Sequence, residues 1–89
     1  MKAIVTVVGK DRVGIIANVC TALAGYNVNV LDISQTVMQG YFTMMMVVDV
    51  SEAKLPLAEL VVIMEDMGKE RGLSIRLQRE DIFEAMHRI

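Results

Sequence analysis

Apolar residues recur along this chain with two different periods, and the switches between them mark out six segments and a tail. Residues 2–9, KAIVTVVG, are apolar on both alternating faces, with Ala3, Val5 and Val7 on one and Ile4 and Val8 on the other. Such a strand belongs in the middle of a sheet. Over residues 12–24 the period lengthens, and Val13, Ile16, Val19, Cys20, Leu23 and Ala24 fall on one helical stripe. Asp11 stands where a helix cap belongs, and Gly25 where a helix ends. Residues 27–38 read as a strand with mixed faces, hence an edge, and Gln39-Gly40 supplies hairpin punctuation. Residues 41–50, YFTMMMVVDV, are again apolar on both faces and predict a second central strand.

Pro56 opens a second helix, whose stripe is Leu57, Leu60, Val61, Met64 and Met67, with Gly68 and Gly72 at its end. Residues 73–79 alternate, with Leu73, Ile75 and Leu77 inward and Ser74, Arg76 and Gln78 outward, as in a half-exposed edge strand. The order β-α-β-β-α-β predicts an α+β fold, the ferredoxin-like sandwich: a four-stranded antiparallel sheet with two helices on one face. Right-handed crossovers put strands one and three in the centre, where the two double-faced strands are. The domain is expected over residues 1–80, followed by a short helical extension over 81–89. There Asp81 and Glu84 have capping-box spacing, and Ile82, Phe83, Met86 and Ile89 form a stripe. A helix that short must dock, on its own sheet or on a second copy.

Two helices cover one face of the sheet and leave apolar positions of both central strands on the other. Met44-Met45-Met46 serves as sheet core on at least one face. The uncovered face, in a chain of 89 residues with 54% apolar side chains, points to a homodimer formed by faces or by the mild edge Asn29-Asp32-Gln35.

Composition narrows the function. A net charge of −2, a pI near 5.2 and only four aromatic residues give neither the field nor the stacking platform for nucleic acid, and no polybasic patch for a membrane. One cysteine, Cys20, excludes an internal disulfide and any CxxC pair. With no leader and no membrane-length apolar run, the expected compartment is the cytoplasm. His87 reads as a surface group near a helix end and Cys20 as core. Glu65-Asp66 and Glu80-Asp81 read as solvated charge. No metal-ligand spacing and no cofactor motif occurs, so neither a metal nor a cofactor is expected.

The stretch VVGKDRVGIIANV, residues 7–19, is the remaining candidate. Its G-x-x-x-x-G lacks the Lys and Ser/Thr of a phosphate loop, because Ile15-Ile16 follow. A helix start nonetheless offers unpaired N–H groups to a small carboxylate, and Gly14 keeps the approach open. Asp11 could take an ammonium and Asn29 supply an amide, which together suit a free amino acid. The equal alternative is a tight turn with Asp11 as a cap.

The segment VVGKDRVGIIANVCTALAGYNVNVLDISQ resembles the ACT domain, a regulatory module that senses amino acids. It is similar to the ACT domains of the glycine cleavage system transcriptional repressor. The resemblance covers residues 2–79 and is carried by GKDRVGIIA (9–17) and NVNVLDI (27–33). It implies binding of an amino acid or another small effector at a subunit interface, where the loop after strand one meets the start of strand two of a partner. On that pattern Asp11 is the polar loop contact, Gly14 the close-approach glycine and Asn29 the polar position on strand two. The backbone N–H groups of Val13, Gly14 and Ile15 would be the carboxylate donors. Some amino-acid-binding members carry His where this chain has Gly9. The expectation is therefore a non-enzymatic sensor: a homodimer that binds a small amino-acid-like ligand and controls a partner protein, with no direct nucleic-acid contact. The alternative is a ligand-free protein–protein interaction module using the Met-rich sheet face. A small acylphosphatase-like enzyme with Arg12 as the arginine of a phosphate-cradling loop is disfavoured, because the loop motif of that family is missing.

Overall fold

The computed structural model describes residues 1–10 and 14–86, the side chains of residues 83 and 86 excepted. Its elements are β1 (Lys2–Lys10), α1 (Ile15–Gly25), β2 (Asn29–Met38), β3 (Tyr41–Asp49), α2 (Leu57–Arg71), β4 (Ser74–Arg79) and α3 (Glu80–Met86). The strands form one antiparallel sheet in the order β2-β3-β1-β4. This is the ferredoxin-like arrangement that the alternation of periods predicts, with the two double-faced strands at its centre.

The two faces of the sheet are filled differently. Ala3, Val5 and Val7 of β1, Phe42, Met44, Met46 and Val48 of β3, and Ile75 and Leu77 of β4 lie in the core with Ile15, Val19 and Leu23 of α1 and Leu60 and Met64 of α2. Burying one such aliphatic side chain contributes roughly 1.5–3 kcal/mol, so this layer is the main source of stability. Of the methionine run, Met44 and Met46 are fully buried and only Met45 points to the other face, at 40% exposure. The Met-rich surface expected there is therefore Met45 with Val8 of β1, Tyr41 of β3 and Met38 of β2.

Several element ends differ from the pattern-based expectation, each for a local reason. Helix α1 starts at Ile15, and its cap position is taken by Gly14 at φ +88°, a conformation that favours a glycine. Asp11, expected as the cap, lies outside the described residues. Gly25 is the last helical residue, not the terminator. The positive φ falls at Asn27 (61°), whose Nδ2 donates to the Glu52 carbonyl at 2.8 Å. Gly68 does not end α2 either. It is buried inside the helix where β4 passes, and a Cβ there would stand 2.7 Å from the Leu73 carbonyl oxygen. Gly72, at φ +71°, is the true stop. The turn Gln39-Gly40 has two positive φ values, as a two-residue hairpin requires.

The extension begins directly after β4. Asp81 is not at the expected cap position, because α3 already begins at Glu80; its carboxylate accepts two bonds from the Arg79 guanidinium, with Nε at 3.0 Å. Helix α3 packs against β1 and β4 of its own chain. His87 and Ile89 lie outside the described residues, as do the side chains of Phe83 and Met86.

Candidate functional site

Strand β1 runs from Lys2 at one end of the sheet to Lys10 at the other, and α1 begins just beyond Lys10. The first intrahelical bond runs from the Asn18 N–H to the Gly14 carbonyl at 2.9 Å. The amides of Ile15, Ile16 and Ala17 precede it and have no partner within the helix. Gly14 offers no side-chain cap, and the first turn contains no acidic residue to neutralise its partial positive charge. Among the described residues no acceptor is recorded for these three N–H groups, the kind of donor set a helix start offers to a small anion.

Gly14 and Ile15 lie at the turn, the Ile15 side chain is buried in the core, and Ile16 and Ala17 carry the next two N–H groups of the helix. Val13, like Asp11, lies outside the described residues. Sequence reasoning missed Asn18. Its Nδ2 stands 3.7 Å from where a Cβ on Gly14 would be, and its side chain is exposed at this helix start. Its spacing was the available signal: an amide side chain four residues after a glycine lies one helical turn above it.

Gly9 has a packing reason of its own. A Cβ at that position would meet Leu73 Cδ2 at 2.4 Å, so any side chain there would have to displace the Leu73 side chain just ahead of β4.

Asn29 is not at this site within the chain. It opens β2 opposite Asp49, and Asp49 pairs with Lys2, so Asn29 sits at the far end of the sheet. The nine residues of β1 separate the two ends by roughly 27 Å at about 3.4 Å per residue. There Asn29 lines a shallow depression with Ala24, Asn27, Val28 and Glu52. The same corner is stitched by the Lys54 N–H donating to the Tyr26 carbonyl at 2.9 Å. Next to it the N-terminal ammonium bonds Ser51 Oγ and lies 3.5 Å from Asp49. The Ser51 hydroxyl and N–H, followed by that ammonium, hold the Asp49 carboxyl below the usual carboxylate range.

Among the described residues no group of three His, Cys, Asp or Glu side chains could hold a metal ion. Cys20 is half-buried and packs against the core. No helix among the described residues is long and apolar enough to cross a membrane.

Comparison with known proteins agrees with this fold. The model of the ACT domain family matches residues 2–78. A UPF0237 protein of Bifidobacterium longum is 59% identical over 99% of this chain and 98% of its own length. A solved ACT domain protein from Streptococcus pneumoniae is 46% identical, with a TM-score of 0.82 and 94% of each chain covered. A structure assigned as a glycine cleavage system transcriptional repressor shares the fold at 20% identity, with a TM-score of 0.73, over 86% of this chain and 44% of that one. The family match, these likenesses and the β2-β3-β1-β4 sheet agree, and the chain belongs to the ACT domain family.

Proposed function

We propose that this protein is a non-enzymatic, amino-acid-sensing regulatory module that works as a homodimer, with the ligand between subunits, and controls a partner protein. The observation that carries it is the edge strand β2. It is ten residues long, pairs only with β3, carries a single charge (Asp32) and exposes Leu31, Ile33 and Val37. An open apolar edge of that length is one that soluble proteins ordinarily protect. A second copy, joined to it by antiparallel β2–β2 pairing about a two-fold axis, would satisfy its backbone groups.

That pairing also explains why Gly14 and Asn29 lie at opposite ends of one chain. The two-fold axis reverses β2, so Asn29 of the partner subunit comes to the same end of the sheet as the Gly14 turn. An amino-acid carboxylate would then accept from the amides of Ile15, Ile16 and Ala17, with Asn18 and the partner subunit's Asn29 supplying side-chain amides. A ligand held by both chains favours one dimer arrangement, and a controlled protein can read that shift.

Calorimetric titration with each of the twenty amino acids tests the reading. At least one is expected to bind, and Asn29→Ala and Asn18→Ala are each expected to weaken it by about tenfold or more without changing the melting temperature, as lost hydrogen bonds to a charged group would. Heat from none of the twenty would sink the sensor. The exposed group of Val8, Tyr41, Met38 and Met45 favours the ligand-free interaction module as a second reading. There Met45→Asp would destroy partner capture while Asn29→Ala leaves it unchanged.

A further inference from the structure

The edge of the sheet opposite β2 carries a groove that the ligand site does not use. Strand β4 pairs with β1 alone, so its outer N–H and C=O groups face away from the sheet. Beside it, Val61, Glu65 and Lys69 form one stripe of α2, each a helical turn from the next. Together with Ser74–Gln78 they line a depression of about 440 Å³. A second depression, of about 360 Å³, continues it at the Val61 end and is walled by Leu57, Ala58, Leu77 and Ile82. The groove has a polarity. The C-terminal end of α2 lies over the start of β4, because the Leu73 N–H donates to the Gly68 carbonyl at 2.7 Å. Lys69 therefore lies at the Ser74 end and the aliphatic walls at the Gln78 end.

Charge selects the occupant. Neither Lys69 nor Arg76 takes part in an ion pair among the described residues, and Glu65 is the one acid lining the groove. Two copies of this chain joined along β4 about its midpoint would bring Arg76 close to its own symmetry mate, which is destabilising. A negatively charged strand has no such conflict.

We propose that β4 and α2 form a docking groove for an extended acidic segment of the controlled protein, added to the sheet as a fifth strand. Its backbone pairs with β4. An acidic side chain on the helix side of the added strand meets Lys69, with Arg76 flanking that strand from the open face of the sheet, and a large aliphatic side chain enters the depression between Leu57, Ala58 and Ile82. Ser74–Arg79 extends over roughly 17 Å at about 3.4 Å per residue, which places those two side chains about four positions apart on one face of the added strand. Main-chain bonds supply affinity in this mode and the pockets supply selectivity. That the occupant comes from a controlled protein rests on the regulatory reading above; the groove itself does not depend on the ligand or the dimer.

The test uses a fluorescein-labelled, Thr/Val-rich peptide of about ten residues carrying Asp and Leu four positions apart, followed by anisotropy against the full chain. Saturable binding is expected, with backbone amide shifts confined to Ser74–Gln78 and their α2 neighbours. Combined Lys69→Glu and Arg76→Glu should weaken it about tenfold or more, as should replacing the peptide's Asp by Lys, and a central Pro in the peptide should abolish it. Ala58→Arg, at an exposed position, should block the aliphatic end. No binding, equal affinity for the Lys-substituted peptide, or shifts centred on β2 would overturn the groove. Amino-acid titration of the Lys69→Glu, Arg76→Glu variant separates the two ideas. Retained amino-acid binding with lost peptide binding supports both. Peptide binding by a protein that takes up no amino acid leaves the groove standing and the sensor fallen.

Discussion

Gly25 and Gly68 are both helical glycines, yet adding one methyl group to each should move stability in opposite directions. Gly25 is exposed at the end of α1, and a Cβ there meets nothing within 4 Å. Gly25→Ala removes backbone freedom from the unfolded chain and is expected to stabilise by about 0.5–1 kcal/mol. At Gly68 the same gain is outweighed. The new Cβ would press to 2.7 Å from the Leu73 carbonyl and 3.0 Å from Ile75 Cγ1, so α2 must lift from β4. Overpacking of that kind costs about 1–3 kcal/mol, and Gly68→Ala should be clearly destabilised. Gly14→Ala has open space, but at φ +88° the cost of a left-handed alanine is about 1–2 kcal/mol. Urea melts of the three variants check the signs together, and a stabilised Gly68→Ala would mean that α2 does not lie as close to β4 as described.

At the scale of elements, the ends of β3 and β4 are pinned by carboxylates, and this sets an acid dependence. Asp49 is held below its ordinary value of 3.8 by the Ser51 hydroxyl and N–H and then by the N-terminal ammonium. Asp81 is held below 3.8 by the Arg79 guanidinium, whose own pKa is raised in turn. A depressed carboxylate contributes stability that is fully present above its unfolded pKa and is lost as pH falls through the folded one. The melting temperature should therefore be level above about pH 5 and fall below pH 3.8, with a shallower fall in the Asp49→Asn, Asp81→Asn variant. Because both groups are exposed, the difference between the two melting profiles should be small.

Alternation along β1, β3 and β4 and the stripes of α1 and α2 revealed the fold, because burial dictates those positions one by one. The Met44-Met45-Met46 run could not say which residues faced in; only the register, with Met44 opposite Val7 and Met46 opposite Val5, separates them. The capping spacing at Asp81 and Glu84 put the helix start too late in the chain, because α3 follows β4 without a break and begins at Glu80. The family pattern singles out Gly14 as a close-approach glycine and Asn29 as a polar position on strand two. That they lie at opposite ends of the sheet is a property of strand direction, which no spacing in the sequence records.

Taken whole, the molecule is divided by charge. Of nine basic and eleven acidic side chains, only Asp32 falls between residues 13 and 48, the stretch that holds α1, β2 and most of β3. The outer surface of α1 presents Ala17, Asn18, Thr21 and Ala24, small and uncharged, and β2 exposes Ile33 and Val37. Both of those β2 residues stand opposite core positions of β3, Met46 and Phe42, where the helix layer does not reach far enough to cover them. Soluble surfaces mix both signs of charge, and a charge-free side beside an open strand edge is what a subunit interface leaves behind when only one copy is considered. Ile33→Lys with Val37→Lys should therefore split the proposed dimer while leaving the core intact, because neither side chain is buried in the single chain. Sedimentation should give a monomer of unchanged secondary structure whose amino-acid response is lost together with the dimer. A variant that stays dimeric would move the interface to the open sheet face, and with it the reason for placing Asn29 of one copy near Gly14 of the other.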